Sequence, residues 1–200
     1  MMDYSLVILA GGKSSRMGQK KGSLLINDKT FIEIIRDKFL DLGICDILLS
    51  GYEVPVSGTK FVPDLYKEKG PLAGIHACLK ETANKNAFVI TEDAPLIPVG
   101  FIENLYGAHE ANNKPITIAE CGGRLQPLIG IYDKSLYADC EEMLKKDERR
   151  IIKLSEKYGY NKVVFEGDEL LIRGCNTPEE LARLVKYSDE YENSKSANNI

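Results

Sequence analysis

The run Ser5 to Leu9, SLVIL, ending at Ala10-Gly11-Gly12, constrains this chain more than any other feature. A short apolar run without polar alternation reads as a strand buried on both faces. Such strands belong to parallel sheets covered by helices. The glycines at its end let the backbone approach a ligand closely and turn N–H groups toward it.

The pattern continues as alternating strands and helices. Thr30 with Glu33 forms a capping box, and Phe31, Ile34, Ile35, Phe39 and Leu42 make the apolar stripe of a helix closed by Gly43. Asp46 to Ser50 reads as a strand and Lys60 to Val62 as a short one. Gly70-Pro71 opens a helix to about Ala83, followed by a strand at Ala87 to Thr91 and a helix from about Val99 to Glu110. Ile116 to Glu120 and Leu128 to Tyr132 are expected as strands joined through Gly122-Gly123. Ser135 to Lys146 and Ile151 to Tyr158 are expected as helices. Lys162 to Phe165 and Leu170 to Arg173 read as strands, and Thr177-Pro178-Glu179-Glu180 starts a last helix ending near Tyr187. The expectation is a Rossmann-like α/β three-layer sandwich around a mostly parallel sheet. With no internal repeat or linker, residues 1–187 read as one domain and 188–200 as a polar, mobile tail.

In an open sheet of this kind ligands bind beyond the carboxyl ends of the strands. The string Gly11-Gly12-Lys13-Ser14-Ser15-Arg16-Met17-Gly18-Gln19-Lys20-Lys21 follows the first strand. Arg16 and Lys21 suit phosphate oxygens, one as a planar fork and one as a point charge. Gly12-Lys13-Ser14 is not the end of a P-loop, whose first glycine would fall at Val7, and GxGxxG is absent. A Gly-Gly pair alone would read equally as a solvated turn; the full string of glycines, hydroxyls and spaced cations favours phosphate binding.

Composition narrows the rest. A net charge of −4 argues against a protein built to hold nucleic acid or an anionic membrane. No apolar run approaches the ~20 residues of a membrane span, and the N-terminus lacks signal-peptide features. The five cysteines form no CxxC and read as reduced thiols. The expected location is the cytoplasm.

Leu9-Ala-Gly-Gly-Lys-Ser-Ser-Arg-Met-Gly18, with Lys21 following, resembles the signature LAGGxSxRMGxDK of the molybdenum cofactor guanylyltransferases, within the MobA-like NTP transferase family. Lys20 stands where that family has Asp. Asp64 before Gly70-Pro-Leu-Ala-Gly74 resembles its Asp before GPLAG. Thr91-Glu92-Asp93-Ala94-Pro95 resembles its CDMP motif, with Glu92 for Cys and Ala94 for Met. Gln126-Pro127-Leu128 with Ile131-Tyr132 resembles its PL..LY strand, and Asn176-Thr177-Pro178-Glu179-Glu180-Leu181 its NTPEDL.

The resemblance implies a nucleotidyltransferase fold and transfer of GMP from Mg2+-bound GTP to the phosphate of molybdopterin, with release of pyrophosphate. It places Leu9, Ala10 and Gly11 on the base and ribose, Lys21 on the phosphates, Asp64 and Ser50 on the nucleoside, and Asp93 on the metal; Gly12 joins the expected nucleotide-binding residues, and Arg16, from its chemistry, joins Lys21 and Asp93 as the expected catalytic set. Asn176 is the second metal contact by analogy with sugar nucleotidyltransferases. The resemblance also suggests transient contacts with the proteins that deliver and receive the cofactor.

Alternatives stay open on residues alone. Asp93 could cap a loop, and Asn176 could be a loop residue beside the Thr177 cap. Glu92 and Asp64 could be surface acids, and Arg124, Arg149 and Arg150 either acceptor-binding or solvated. At the level of activity the rivals are a CTP-dependent or other-acceptor transferase and a nucleotide-binding regulator that does not turn over.

Overall fold

The computed structural model describes residues 3–11 and 23–197, with side chains through Glu190. Gly12, Arg16, Lys20 and Lys21 lie outside the described residues. In chain order the elements are β1 (Tyr4–Leu9), β2 (Leu25–Ile26), β3 (Lys29–Thr30), α1 (Phe31–Asp41), β4 (Asp46–Ser50), β5 (Lys60–Phe61), α2 (Pro71–Glu81), β6 (Asn86–Thr91), α3 (Val99–Glu110), β7 (Ile116–Cys121), β8 (Arg124–Asp133), α4 (Tyr137–Lys145), α5 (Ile152–Tyr158), β9 (Asn161–Phe165), α6 (Leu170–Arg173) and α7 (Pro178–Ala197).

Among the described residues one seven-stranded sheet runs β5-β4-β1-β6-β8-β7-β9. β8 alone is antiparallel to its neighbours; the other pairings are parallel. β1 lies between β4 and β6 and is buried along its whole length, as its unbroken apolar run predicts. Its side chains alternate between two cores. Leu6 and Ile8 pack with Ile32, Ile35 and Phe39 of α1 and Phe101 and Leu105 of α3. Val7 and Leu9 pack with Leu72 and Ile75 of α2, Cys140 of α4 and Leu154 of α5. Helices therefore cover both faces, giving the expected three-layer sandwich.

Several elements differ from expectation. Leu170 to Arg173 is a helical turn, not a strand. Asp168 Oδ1 accepts from the Leu170 N–H at 3.0 Å and the Asp168 carbonyl from the Leu171 N–H at 3.0 Å, which starts the turn. Leu170 and Ile172 are buried while Arg173 is exposed, an alternation that over four residues fits a strand as well as a helix. The last helix continues through Ala197 rather than ending near Tyr187. Arg183 pairs with Asp168 at 2.6 Å, Tyr187 hydrogen-bonds the same carboxylate, and Lys186 reaches Glu190 one turn on at 3.7 Å. The first two contacts tie the helix to the loop before α6, and the third is a pair one turn apart on its exposed face.

β8 begins at Arg124 rather than Leu128, because Pro127 is absorbed by a bulge. The β7 ladder passes from Ile118↔Gly130 directly to Ala119↔Gln126, leaving Pro127, which cannot donate, out of register. The Tyr132 hydroxyl donates to the freed Pro127 carbonyl at 2.6 Å. Gly122 and Gly123 both have positive φ, 55° and 74°, as a two-residue hairpin turn requires. The β2–β3 hairpin went unread; its turn is Asn27-Asp28, at φ 48° and 63°. The helix expected from Ser135 opens instead as a 3-10 turn, Lys134–Leu136, capped by Asp133. All five cysteines are free thiols.

Candidate active site

The site grows from the exit of β1. The Ala10 N–H donates to the Ser50 carbonyl at 2.8 Å, and the Glu92 N–H to the Leu9 carbonyl at 2.9 Å. These bonds carry the ladder one step past the strand ends and hold Ala10 between β4 and β6. Leu9 and Ala10 are buried, while Gly11 is exposed at the carboxyl edge of the sheet.

Gly51 follows β4 with φ +82°, and a Cβ there would lie 2.4 Å from the Gly11 Cα. No side chain fits that contact, so both loops leave the sheet in backbone contact. Sequence reasoning passed over Gly51; its signal was a glycine directly after a buried strand.

Ser50 and Asp64 come together. The Ser50 hydroxyl donates to Asp64 Oδ1 at 2.7 Å. Ser50 is almost fully buried and Asp64 half-buried. The bond occupies one carboxylate oxygen and orients the carboxyl group, which marks Asp64 as more than a loose surface acid. α2 closes over this pair from above. Gly70, at φ +72°, precedes Pro71 in the first helical position. One turn on, a Cβ on Gly74 would fall 2.6 Å from the Ser50 Oγ and 3.1 Å from Leu9 Cδ2. The GPLAG string thus serves as a turn, a helix start and a close packing surface against the strand ends.

Asp93 stands half-buried just past β6, at the same edge. Its backbone carbonyl accepts from the Cys175 N–H at 3.0 Å, and a Cβ on Gly174, whose φ is +93°, would come within 2.5 Å of the Asp93 Cβ. The glycine lets the α6–α7 connection press against Asp93 and brings Asn176 beside it in the chain. Asn176 is exposed; its side-chain amide donates to the Gly174 carbonyl at 3.2 Å and its backbone N–H to Glu180 Oε2 at 2.7 Å. Thr177 and Glu180 form a capping box, Glu180 N–H to Thr177 Oγ1 at 3.2 Å and Thr177 N–H to Glu180 Oε2 at 3.1 Å. Asn176 is therefore part of a helix-start loop and also next to the Asp93 contact.

Glu92 is buried, 3% exposed. Burial first, and then the Glu92 and Glu33 carboxylates, push the Tyr52 phenol upward. The basic pair Arg149 and Arg150 is engaged locally. Arg149 donates to Asp147 and to the Glu68 carbonyl; Arg150 donates to Glu148 through its side chain and its backbone N–H, and those two contacts hold the Glu148 carboxyl at about 2. Arg124 is exposed at the β7–β8 turn. Among the described residues no group of three or more His, Cys, Asp or Glu is placed to hold a metal. Mg2+ needs only one or two carboxylates because it retains several waters, and a half-buried Asp at a strand end meets that requirement.

Residues 6–161 match the sequence profile of the MobA-like NTP transferase domain. The chain belongs to this family. It is a nucleotidyltransferase, and members of the family generally use a divalent metal. A protein of Vibrio parahaemolyticus named molybdenum cofactor guanylyltransferase is 32% identical over 184 residues, covering 90% of this chain and 93% of its own. A Clostridium perfringens protein named probable molybdenum cofactor guanylyltransferase is 35% identical over 171 residues, covering 83% of each chain. The crystal structure of molybdopterin-guanine dinucleotide biosynthesis protein A from Archaeoglobus fulgidus superposes with a TM-score of 0.75 over 93% of this chain and 99% of its own; at 22% identity it shows the shared fold. No described helix is long and apolar enough to cross a membrane.

Proposed function

We propose that this chain transfers GMP from Mg2+-bound GTP to the terminal phosphate of molybdopterin, forming the guanine dinucleotide and releasing pyrophosphate. One observation carries the reading. The exits of β1, β4 and β6 converge at one sheet edge, with the Gly11 backbone, the Ser50–Asp64 pair and Asp93 on them. That edge is where an open α/β sheet binds its ligand. The relatives' names supply the base and the acceptor.

In this reading Leu9, Ala10 and Gly11 present backbone groups to the nucleoside, and Asp64, oriented by Ser50, accepts a hydrogen bond from it. Lys21 and Arg16 neutralise the triphosphate. Asp93 holds the metal, with Asn176 as its second contact. When bound, the metal would supply positive charge against the triphosphate. The acceptor phosphate oxygen attacks the α-phosphorus, a P–O bond forms there, and the bond to the β-phosphate oxygen breaks with its electron pair leaving on pyrophosphate. The acceptor needs no base, because a phosphate monoester is already ionised near neutral pH. The chain's task is to align two anions and offset their repulsion.

The test is pyrophosphate release with molybdopterin and Mg2+ across GTP, CTP, ATP and UTP. GTP is expected to be preferred. Equal or faster release with CTP would replace the guanylyl assignment with a cytidylyl one, and no release with any of the four would favour a binding protein.

A further inference from the structure

The loop from β6 to α3 carries Asp93. Its turn bonds are long, Ala94 N–H to the Thr91 carbonyl at 3.2 Å and Ile97 N–H to the Ala94 carbonyl at 3.3 Å. Pro95 and Pro98 contribute no N–H. From one side the Cys175 N–H holds the Asp93 carbonyl. From the other, Lys38 in the last turn of α1 donates its ammonium to the Pro95 carbonyl at 3.1 Å and to the Ile97 carbonyl at 2.5 Å.

The setting of Lys38 is unusual. Ile35, Phe39, Ala94, Ile97 and Phe101 around this junction belong to one buried apolar cluster. Among the described residues no carboxylate pairs with Lys38; burial alone acts on its ammonium and pushes it down to about 8. Lys38 is half-buried, and a partly desolvated ammonium without a paired acid carries a cost that a Met or Leu at this position would not. What Lys38 adds over them is two directed bonds to the loop.

We propose that Lys38 is a positioning residue for nucleotidyl transfer: by tying the carbonyls of Pro95 and Ile97 to α1, it fixes the loop that presents Asp93 to the metal. The proposal rests on the reading of Asp93 as the metal contact. It makes α1, which supplies no residue to the site, a fixed post for one side of it.

Two measurements test it on the full chain, comparing wild type with Lys38→Met, Lys38→Arg, Asp93→Asn and Lys134→Met. Lys134 is the control, since its ammonium also holds a backbone carbonyl, that of Thr82 at the far end of α2, at 2.5 Å. The first measurement is amide hydrogen exchange on metal-free, nucleotide-free protein. Lys38→Met is expected to speed exchange at Ala94 and Ile97 about tenfold while the β1 and β6 amides keep their protection. The second is the Mg2+ concentration giving half-maximal pyrophosphate release. Lys38→Met is expected to raise it about tenfold, the scale of a lost outer-shell support, with the maximal rate at saturating Mg2+ largely kept. Lys38→Arg should restore most of both, and Lys134→Met should alter neither.

Unchanged exchange at residues 94–97 in Lys38→Met overturns the anchor. Faster exchange with an unchanged Mg2+ requirement overturns the positioning role, provided Asp93→Asn shifts that requirement. If Asp93→Asn does not shift it, the reading of Asp93 as the metal contact fails, and the role assigned to Lys38 falls for that separate reason. Should Lys38→Met fail to fold, Lys38→Gln, which shortens the reach to the loop, is judged by the same outcomes.

Discussion

Single residues set how closely the chain can wrap its ligand. Gly51 and Gly74 remove the side chains that would separate the glycine-rich loop, Ser50 and α2, while the Ser50 hydroxyl spends itself on turning Asp64. Lys21 is expected to act at this scale. Lys21→Ala should lose about 2–4 kcal/mol of transition-state stabilisation, the range for one lost electrostatic donor, with little change in folding. A kcat/KM near the wild-type value would transfer the role to Arg16 or Lys20. A second residue governs acid stability. His76 is fully buried in α2, edge-on to the Tyr66 ring at 5.4 Å, and among the described residues neither ring nitrogen has a hydrogen-bond partner. Burial lowers its pKa, helped by Lys80 and Lys145 and opposed by Glu141 and Asp64. The folded chain thus takes this proton less readily than the unfolded one. Stability from this group is full above the ordinary imidazole value of about 6.5 and falls as pH drops below it. His109 is shifted in the same direction by burial. His76→Phe should therefore flatten, not abolish, the fall in Tm between pH 7 and 5. An unchanged slope would assign the acid limb to His109 and the carboxylates.

At the scale of elements, the legible parts were those where local chemistry and tertiary role agree. β1 reads as a doubly buried strand because it is one, and α1 announces itself through Thr30 and Glu33, whose capping box is formed in full. Membership of the family was legible through motif order. Gly51 and Gly174 were not, because their role is to admit another segment distant in sequence. Lys38 was hidden for a similar reason: its acceptors lie 57 and 59 residues away. The α6 turn failed because four residues hold too little period to separate helix from strand. The end of α7 was misplaced because a polar helix carries no apolar rhythm. Its last turns still bear on a prediction. A chain ending at Tyr187 should retain kcat/KM within about twofold, since a polar segment without apolar periodicity adds little to a core; Ser188 meets Asn27 through one exposed hydrogen bond at 3.3 Å. Loss of activity in a truncated protein that still unfolds cooperatively would give those turns a role in the site.

For the whole molecule, the sandwich divides its labour. β4, β1 and β6 run parallel and bring the loops that follow them to one edge. The β7–β8 hairpin, the β8 bulge and α6 shape the neighbouring stretch of that edge. In the proposed reaction two anionic substrates meet in a protein whose net charge is −4, so local cations and a metal must supply the attraction that the overall field does not. The central claim is that the α-phosphate moves and the rest of the triphosphate leaves. Incubating the protein with molybdopterin, Mg2+ and GTP labelled at either the α- or the γ-phosphate tests this directly. The account predicts α-label in the dinucleotide product and γ-label only in pyrophosphate; γ-label on the acceptor, or α-label left entirely in free nucleotide, would contradict it.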